Sequence, residues 1–298
     1  LAGVLPDTVV HDLGTQLLEL IEDDLRAREG RDKQYEEGIK RTGTGEKAPG
    51  GADFDGASTV SHPMLVKGCV DFSSRAIKEL FPANGPCKTQ IIGEQTEAKL
   101  DKAERKKKFM NWQLTKQVVE QRDELEKLLS QVPLAGVQYK RWWWDHDLNR
   151  PRTEVYYVDD VILASGATSY YNAPRITFRQ KITRQVFDRR VANQLYLDVP
   201  VGDGTLGLDD ESRAEAASNK VEGVDPDEGF YNEDGRRTVY QVEVMLDLEE
   251  DPYADRVAPY IVHLDKASSR VLGIYRNWDE EDQNLRKLEW ASEWPFIP

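Results

Sequence analysis

The sequence predicts an α+β fold, with long N-terminal helices followed by antiparallel β-hairpins and intervening short helices. Three observations carry that reading. Apolar residues recur at helical spacing through most of the first 133 positions. From residue 137 their period falls to two, the spacing of paired strands. Glycines and prolines divide the chain into pieces of ordinary element length, with no internal repeat and no low-complexity tract.

The helical part covers about residues 1–133. Residues 7–42 read as one long helix: Asp7 and Thr8 offer an N-cap, and Val10, Leu13, Leu17, Ile21 and Leu25 repeat at helical spacing. Its second half, RAREGRDKQYEEGIKRTG, keeps only Tyr35 and Ile39 as apolar contacts, so it is expected to be solvated or to rest on a partner. TGTGEKAPGGADFDGAS has the composition of a loop. A second helix is expected over about 62–80, with Pro63 in its first turn, Pro82 just past its end, and Leu65, Cys69, Phe72, Ala76 and Leu80 on one face. KTQII (88–92) reads as a short strand. A long helical region then runs from Thr96 to Val132, ended by Pro133, with Leu125, Leu128, Leu129 and Val132 striping its last turns.

The mainly β part runs from about 134 to 298. Tyr139, Trp142 and Trp144, then Val155 and Tyr157, alternate as in a hairpin connected by DLNRP. That alternation puts Trp142 and Trp144 on one buried face, core or subunit interface, and Trp143 on the other. RITFRQKI (175–182) is a strand, and Thr183 is expected to cap the helix RQVFDRRVANQLY. A short helix is expected at 210–221. Three strands follow, TVYQVEVMLDL, APYIVHLD and RVLGIYRNW, the last two joined by the hairpin turn DKASSR (265–270).

Charge is unevenly placed. The net charge is −14, and Asp203–Asp255 alone carries −13, with 17 Asp/Glu against four Lys/Arg. The rest is nearly neutral, which argues against a protein that grips DNA through clustered cations. No apolar run approaches the ~18–20 residues that cross a bilayer, and the opening residues lack a basic segment followed by an apolar one, so neither membrane span nor secretory signal is expected. Two cysteines, Cys69 and Cys87, are expected to be reduced thiols in a cytoplasmic product.

Chemistry-bearing patterns are few. Asp145-His146-Asp147 has metal-ligand residue types, but a strand sends His146 to the face opposite its two aspartates, and His11, His62 and His263 stand apart in sequence. GDGTLG (202–207) matches a dinucleotide-binding spacing, yet Asp209, Asp210 and Glu211 follow and oppose a phosphate. GTGEKAPGG lacks the Lys-Ser/Thr ending of a phosphate loop. KAERKKK is the one dense basic run. Its charges wrap the helix, as on a solvated face, and Lys102, Arg105, Lys106, Lys107 and Lys108 are the candidates for contact with a phosphate or an acidic partner. No catalytic, metal or cofactor residues are expected.

Several stretches together resemble the portal proteins of tailed bacteriophages, in their short-tailed branch: FDGASTVSHPMLVKGCVDFSSRAIKELFP (54–82), ELEKLLSQVPLAGVQYKRWWWDHDLNRP (124–151), VDDVILASGATSYYNAPRITFRQKITRQVF (158–187), PYIVHLDKASSRVLGIYRNWDEED (259–282) and EWPFIP at the end. The similarity is spread over most of the chain from about residue 12, and the order and spacing of the stretches carry it. The resemblance implies a structural, non-enzymatic subunit of a ring, usually of twelve copies, at one capsid vertex. Its implied partners are its own copies, the terminase large subunit, the major capsid and scaffolding proteins and a head-to-tail adaptor. Double-stranded DNA would pass without sequence recognition. It implies localisation at the portal vertex of the virion, and in host cytoplasm during assembly. Residues 1–298 correspond to the portal wing, so stem, clip and crown are expected C-terminal to residue 298. Two other readings remain open: a stand-alone acidic protein-binding module, and a divalent-metal hydrolase using Asp247, Glu249, Glu250, Asp251 and Asp255, whose DLEEDPYAD lacks a calcium-loop glycine and a histidine partner.

Overall fold

The computed structural model describes residues 2–42, 63–145, 148–168, 173–201, 213–222, 236–248, 251, 257–277 and 296–297. The class is α+β, with helices leading and two antiparallel sheets. The chain forms two compact units, Leu1–Gly45 with Asp159–Trp294, and Glu46–Val158 with Pro295–Pro298. The first helices therefore belong with the larger sheet, and the remaining helices of the N-terminal half with the smaller one.

In the first unit, α1 (Asp7–Ala27) and α2 (Glu29–Lys40) stand where one helix over 7–42 was expected. The break is at Arg28, whose guanidinium donates to Val161 O at 2.8 Å, to Asp159 O at 3.0 Å and to Asp32 Oδ2 at 2.8 Å. Those contacts fix the side chain of Arg28, whose backbone at φ −93°, ψ 0° separates the two helices. Pro6, not Asp7 or Thr8, occupies the N-cap, and no side chain caps the helix; Asp7 serves as the first-turn acid. Leu17 and Ile21, one turn apart, are buried against the sheet.

That sheet has the order β3-β4-β5-β6-β7, all antiparallel, from β3 (Val161–Leu163), β4 (Arg175–Ile182), β5 (Arg237–Asp247), β6 (Val257–Asp265) and β7 (Val271–Arg276). Both faces of β5 are buried along most of its length, and Gln241 and Glu243, which alternate with Val242 and Val244 in its middle, are buried with its apolar residues. One face carries Ile162, Tyr240, Val242, Val262 and Leu264 in one cluster with Leu17 and Ile21. The other gathers Ile182, Val239 and Leu272 with Phe187 and Tyr196. Phe187 lies on α6 (Arg184–Ala192), capped as expected by Thr183, whose Oγ1 accepts from Val186 N at 3.4 Å. α6 stops at Ala192, short of the expected Tyr196, because the chain turns through Gln194 at φ +58°. A further helix, α7, spans Arg213–Glu222.

Two details hold α1 on this sheet. Asp24, 3% exposed, accepts from Arg175 Nε at 3.1 Å and from Ser165 N at 2.8 Å. Gly14 lies where a Cβ would sit 2.4 Å from Ser269 O, so the β6–β7 turn touches the helix backbone. That turn is tied by Asp265 Oδ2, which accepts from Ser268 N at 3.0 Å and Ser268 Oγ at 2.6 Å.

The second unit contains α3 (Met64–Leu80), α4 (Glu97–Trp112), a π-helical turn Gln113–Gln117, α5 (Gln121–Ala135) and a sheet of order β2-β1-β8. Its strands are β1 (Tyr139–Asp145), β2 (Arg150–Tyr156) and β8 (Phe296–Ile297). The long helix expected over 96–132 is interrupted at the π turn and at Val118–Glu120. Pro133 does not end α5: it lies inside the last turn, and Gly136 at φ +78° ends the helix, its N–H on Val132 O at 2.8 Å. KTQII forms no strand. The neighbouring Cys87 backbone bonds instead to the Asn111 side chain, N–H to Oδ1 at 2.9 Å and O from Nδ2 at 3.2 Å.

Candidate assembly surface

The two units divide apolar surface unequally. Of the 32 apolar residues buried among the described residues, four lie in the second unit: Val118, Leu129, Tyr139 and Val158. Of the nineteen large apolar side chains exposed among the described residues, fourteen lie there. α3 and α4 contain no fully buried residue.

α3 packs on α5, and its half-buried residues are Val66, Cys69, Ser73, Ala76 and Ile77. The expected face of Leu65, Cys69, Phe72, Ala76 and Leu80 is only partly covered, and Phe72 and Leu80 remain 45% and 53% exposed. The apolar stripe is wider than one neighbouring helix can bury.

The basic run lies on α4, where Lys102, Arg105, Lys106, Lys107 and Lys108 are all exposed. Lys108 pairs with Glu104 at 3.1 Å. The other four have no ion-pair partner among the described residues. Phe109 and Trp112 stand beside them, ring centroids 5.9 Å apart and each about half exposed.

The tryptophans are arranged differently from the expected shared buried face. Trp144 is 47% exposed, and Trp142 and Trp143 are half-buried. Long cationic side chains lie over the rings: Lys140 Nζ is 5.1 Å from the Trp142 centroid, and Arg141 and Arg152 are each 5.4 Å from that of Trp143. Trp144 pairs with Pro151 of β2, an edge strand. Lys140 itself is buried, donates to Gln121 Oε1 at 2.7 Å, and is pushed down to about 8 by desolvation.

An ion-pair clamp that the sequence did not announce ties β2 to the turn before α5. Arg150 forks onto Glu120, NH1 to Oε2 at 2.7 Å and NH2 to Oε1, with Arg152 Nε at 3.5 Å. The Arg150 hydrogen bonds hold the Glu120 carboxyl down to about 2. Nothing in local spacing links residues 30 apart. The one available signal was an arginine-rich strand (Arg150, Arg152) following an acid-rich helix.

The remaining patterns separate. Asp145 is engaged in the hairpin, accepting from Leu148 N at 3.0 Å and pairing with Arg152 at 3.2 Å, while His146 and Asp147 lie outside the described residues. GDGTLG, GTGEKAPGG, Glu249, Glu250 and Asp255 also lie outside them. Asp251 is buried, salt-bridged to Arg276 at 2.7 Å and accepting from Tyr260 Oη at 2.9 Å, so its oxygens are already committed to protein donors. Among the described residues no three His, Cys, Asp or Glu side chains group as metal ligands, and no helix is long and apolar enough to cross a membrane. Glu124 and Lys127 line a pocket with Gln131, Glu154 and Tyr157, but Glu124 is occupied by Lys127 Nζ at 2.6 Å and Val155 N at 2.7 Å.

No protein-family model matches the chain, and no curated protein matches it.

Proposed function

We propose that this chain is a subunit of a portal ring: a structural, non-enzymatic component of a tailed phage that self-associates around a conduit for double-stranded DNA. One observation carries the reading beyond the ordered stretches of similarity. Among the described residues, the second unit leaves fourteen large apolar side chains exposed while burying four apolar residues, a balance expected of a surface completed by neighbouring copies. The acidic balance agrees, because a conduit must pass duplex DNA without holding it. Under this reading the terminase large subunit, capsid and scaffolding proteins and a head-to-tail adaptor dock on the assembled ring at the virion's portal vertex. Electron microscopy and mass measurement of the purified protein test it. Closed rings of many copies are expected, whereas a protein that stays monomeric at micromolar concentration would sink the proposal.

A further inference from the structure

We infer that one face of α4 is a track for single-stranded nucleic acid. The site stands apart from the ring reading and follows from how α4 sorts its side chains. Glu97, Asp101, Glu104 and Lys108 succeed one another at four, three and four residues, so all three acids of the helix share one stripe, where Lys108 pairs with Glu104 at 3.1 Å. Lys99, Lys102, Lys106 and Phe109 succeed one another at three, four and three residues on a different stripe, and Arg105 and Trp112 flank Phe109 at four and three residues. At 3.6 residues per turn these six positions span an arc of about 140° and a length of about 20 Å. All six are exposed, and no acid falls within the arc. The helix rests on another side, through its half-buried Ala103 and Asn111. Lys99 Nζ donates to Glu94 O at 3.0 Å, a contact that leaves its charge unopposed.

The mixture on that face selects the partner. Four cations in a row call for a polyanion, and two half-exposed rings, centroids 5.9 Å apart and tilted by 34°, call for flat apolar groups among the negative charges. An unpaired polynucleotide strand offers both, phosphates to the cations and base faces to the rings. In a duplex the bases are stacked on one another and the rings find no partner. A helix lying on an anionic bilayer separates its cations and aromatics onto opposite faces, whereas α4 intersperses them. An acidic amphipathic peptide seats in a groove, and a helix face is convex. The chain's acidic balance does not oppose the contact locally: Asp203–Asp255, with −13, belongs to the first unit, while the second holds 18 Lys/Arg against 16 Asp/Glu.

The test is fluorescence anisotropy of a labelled 12-nucleotide thymidine strand with the full-length protein. Four phosphate contacts give a salt slope of about −2.8, so affinity should fall about 50-fold between 0.05 and 0.2 M salt. The triple variant Lys102→Gln, Arg105→Gln, Lys106→Gln should cut that fall to about threefold. Phe109→Ala and Trp112→Ala, each checked for folding by circular dichroism, should each weaken the strand by about fivefold or more and leave a duplex of equal length unaffected. Lys107→Gln with Lys108→Gln, outside the arc, should change binding little. Absence of binding at 0.05 M salt overturns the inference, as does a duplex bound as tightly as the strand. Equal losses from the variants inside and outside the arc, or displacement of the strand by a polyglutamate peptide at equal charge concentration, would reduce the face to diffuse charge and overturn it too.

Discussion

Replacing Glu120 by Gln should destabilise the second unit at neutral pH and leave it nearly unaffected near pH 2. The carboxyl is held down from 4.5 to about 2, first by its hydrogen bonds to Arg150. Its folded-state pKa lies below the unfolded one, so the stabilisation is complete above about pH 5 and is lost as pH falls toward 2. At about 1.36 kcal/mol per unit the shift sets a ceiling of roughly 3 kcal/mol. Both side chains remain about a quarter exposed, 27% for Glu120 and 22% for Arg150, so solvent screening brings the expected effect to about 1–2 kcal/mol. The assay is urea unfolding of both proteins from pH 7 to pH 2, followed by tryptophan fluorescence, to which Trp112, Trp142, Trp143 and Trp144 of the second unit contribute. The two stability curves should stay parallel down to about pH 5 and converge below it. A gap that persists unchanged to pH 2, or no gap at pH 7, refutes the clamp as the source of the shift.

Gly14→Ala should cost about 1–3 kcal/mol, because the added Cβ meets the Ser269 carbonyl at 2.4 Å, whereas Gly30→Ala on α2 has nothing within 4 Å and should be neutral or stabilising by up to about 1 kcal/mol; thermal melts compare the two. Asp24→Asn should cost about 3–5 kcal/mol by leaving Arg175, 11% exposed, without its counter-charge, and a melt close to the unaltered protein's would rule out that pin. Lys140 gives the same sign of pH dependence as Glu120 for a different reason: burial lowers its pKa to about 8, so the unfolded state binds more protons between about pH 8 and 10. Stability should therefore rise with pH across that window, and Lys140→Met should abolish the rise. Trp144→Ala should cost under about 1 kcal/mol, since nearly half the side chain already faces solvent.

Local rules made much of the larger sheet legible. RITFRQKI is β4 to the residue, Thr183 caps α6, and the β6–β7 turn lies at 265–270, because alternation, capping chemistry and turn residues all act within a few positions. What escaped depends on distant partners. A sound helical pattern is interrupted at Arg28, whose guanidinium reaches carbonyls more than 130 residues away. KTQII has strand composition but no strand beside it, since Asn111 takes the neighbouring backbone groups. Alternation correctly divides Trp142 and Trp144 from Trp143, yet it says nothing about which face is covered. The basic run was visible as a candidate contact. The breadth of exposed apolar surface around it was not, because an apolar stripe looks the same in sequence whether a neighbouring helix or another copy covers it.

The central claim is that the second unit's apolar surface is completed by other copies of the same chain. Mass photometry of the full-length gene product at near-physiological salt tests it most directly. The account predicts a dominant species at a single large multiple of the subunit mass, imaged as closed rings. A population of monomers alone, at concentrations up to tens of micromolar and with native circular dichroism, would contradict it.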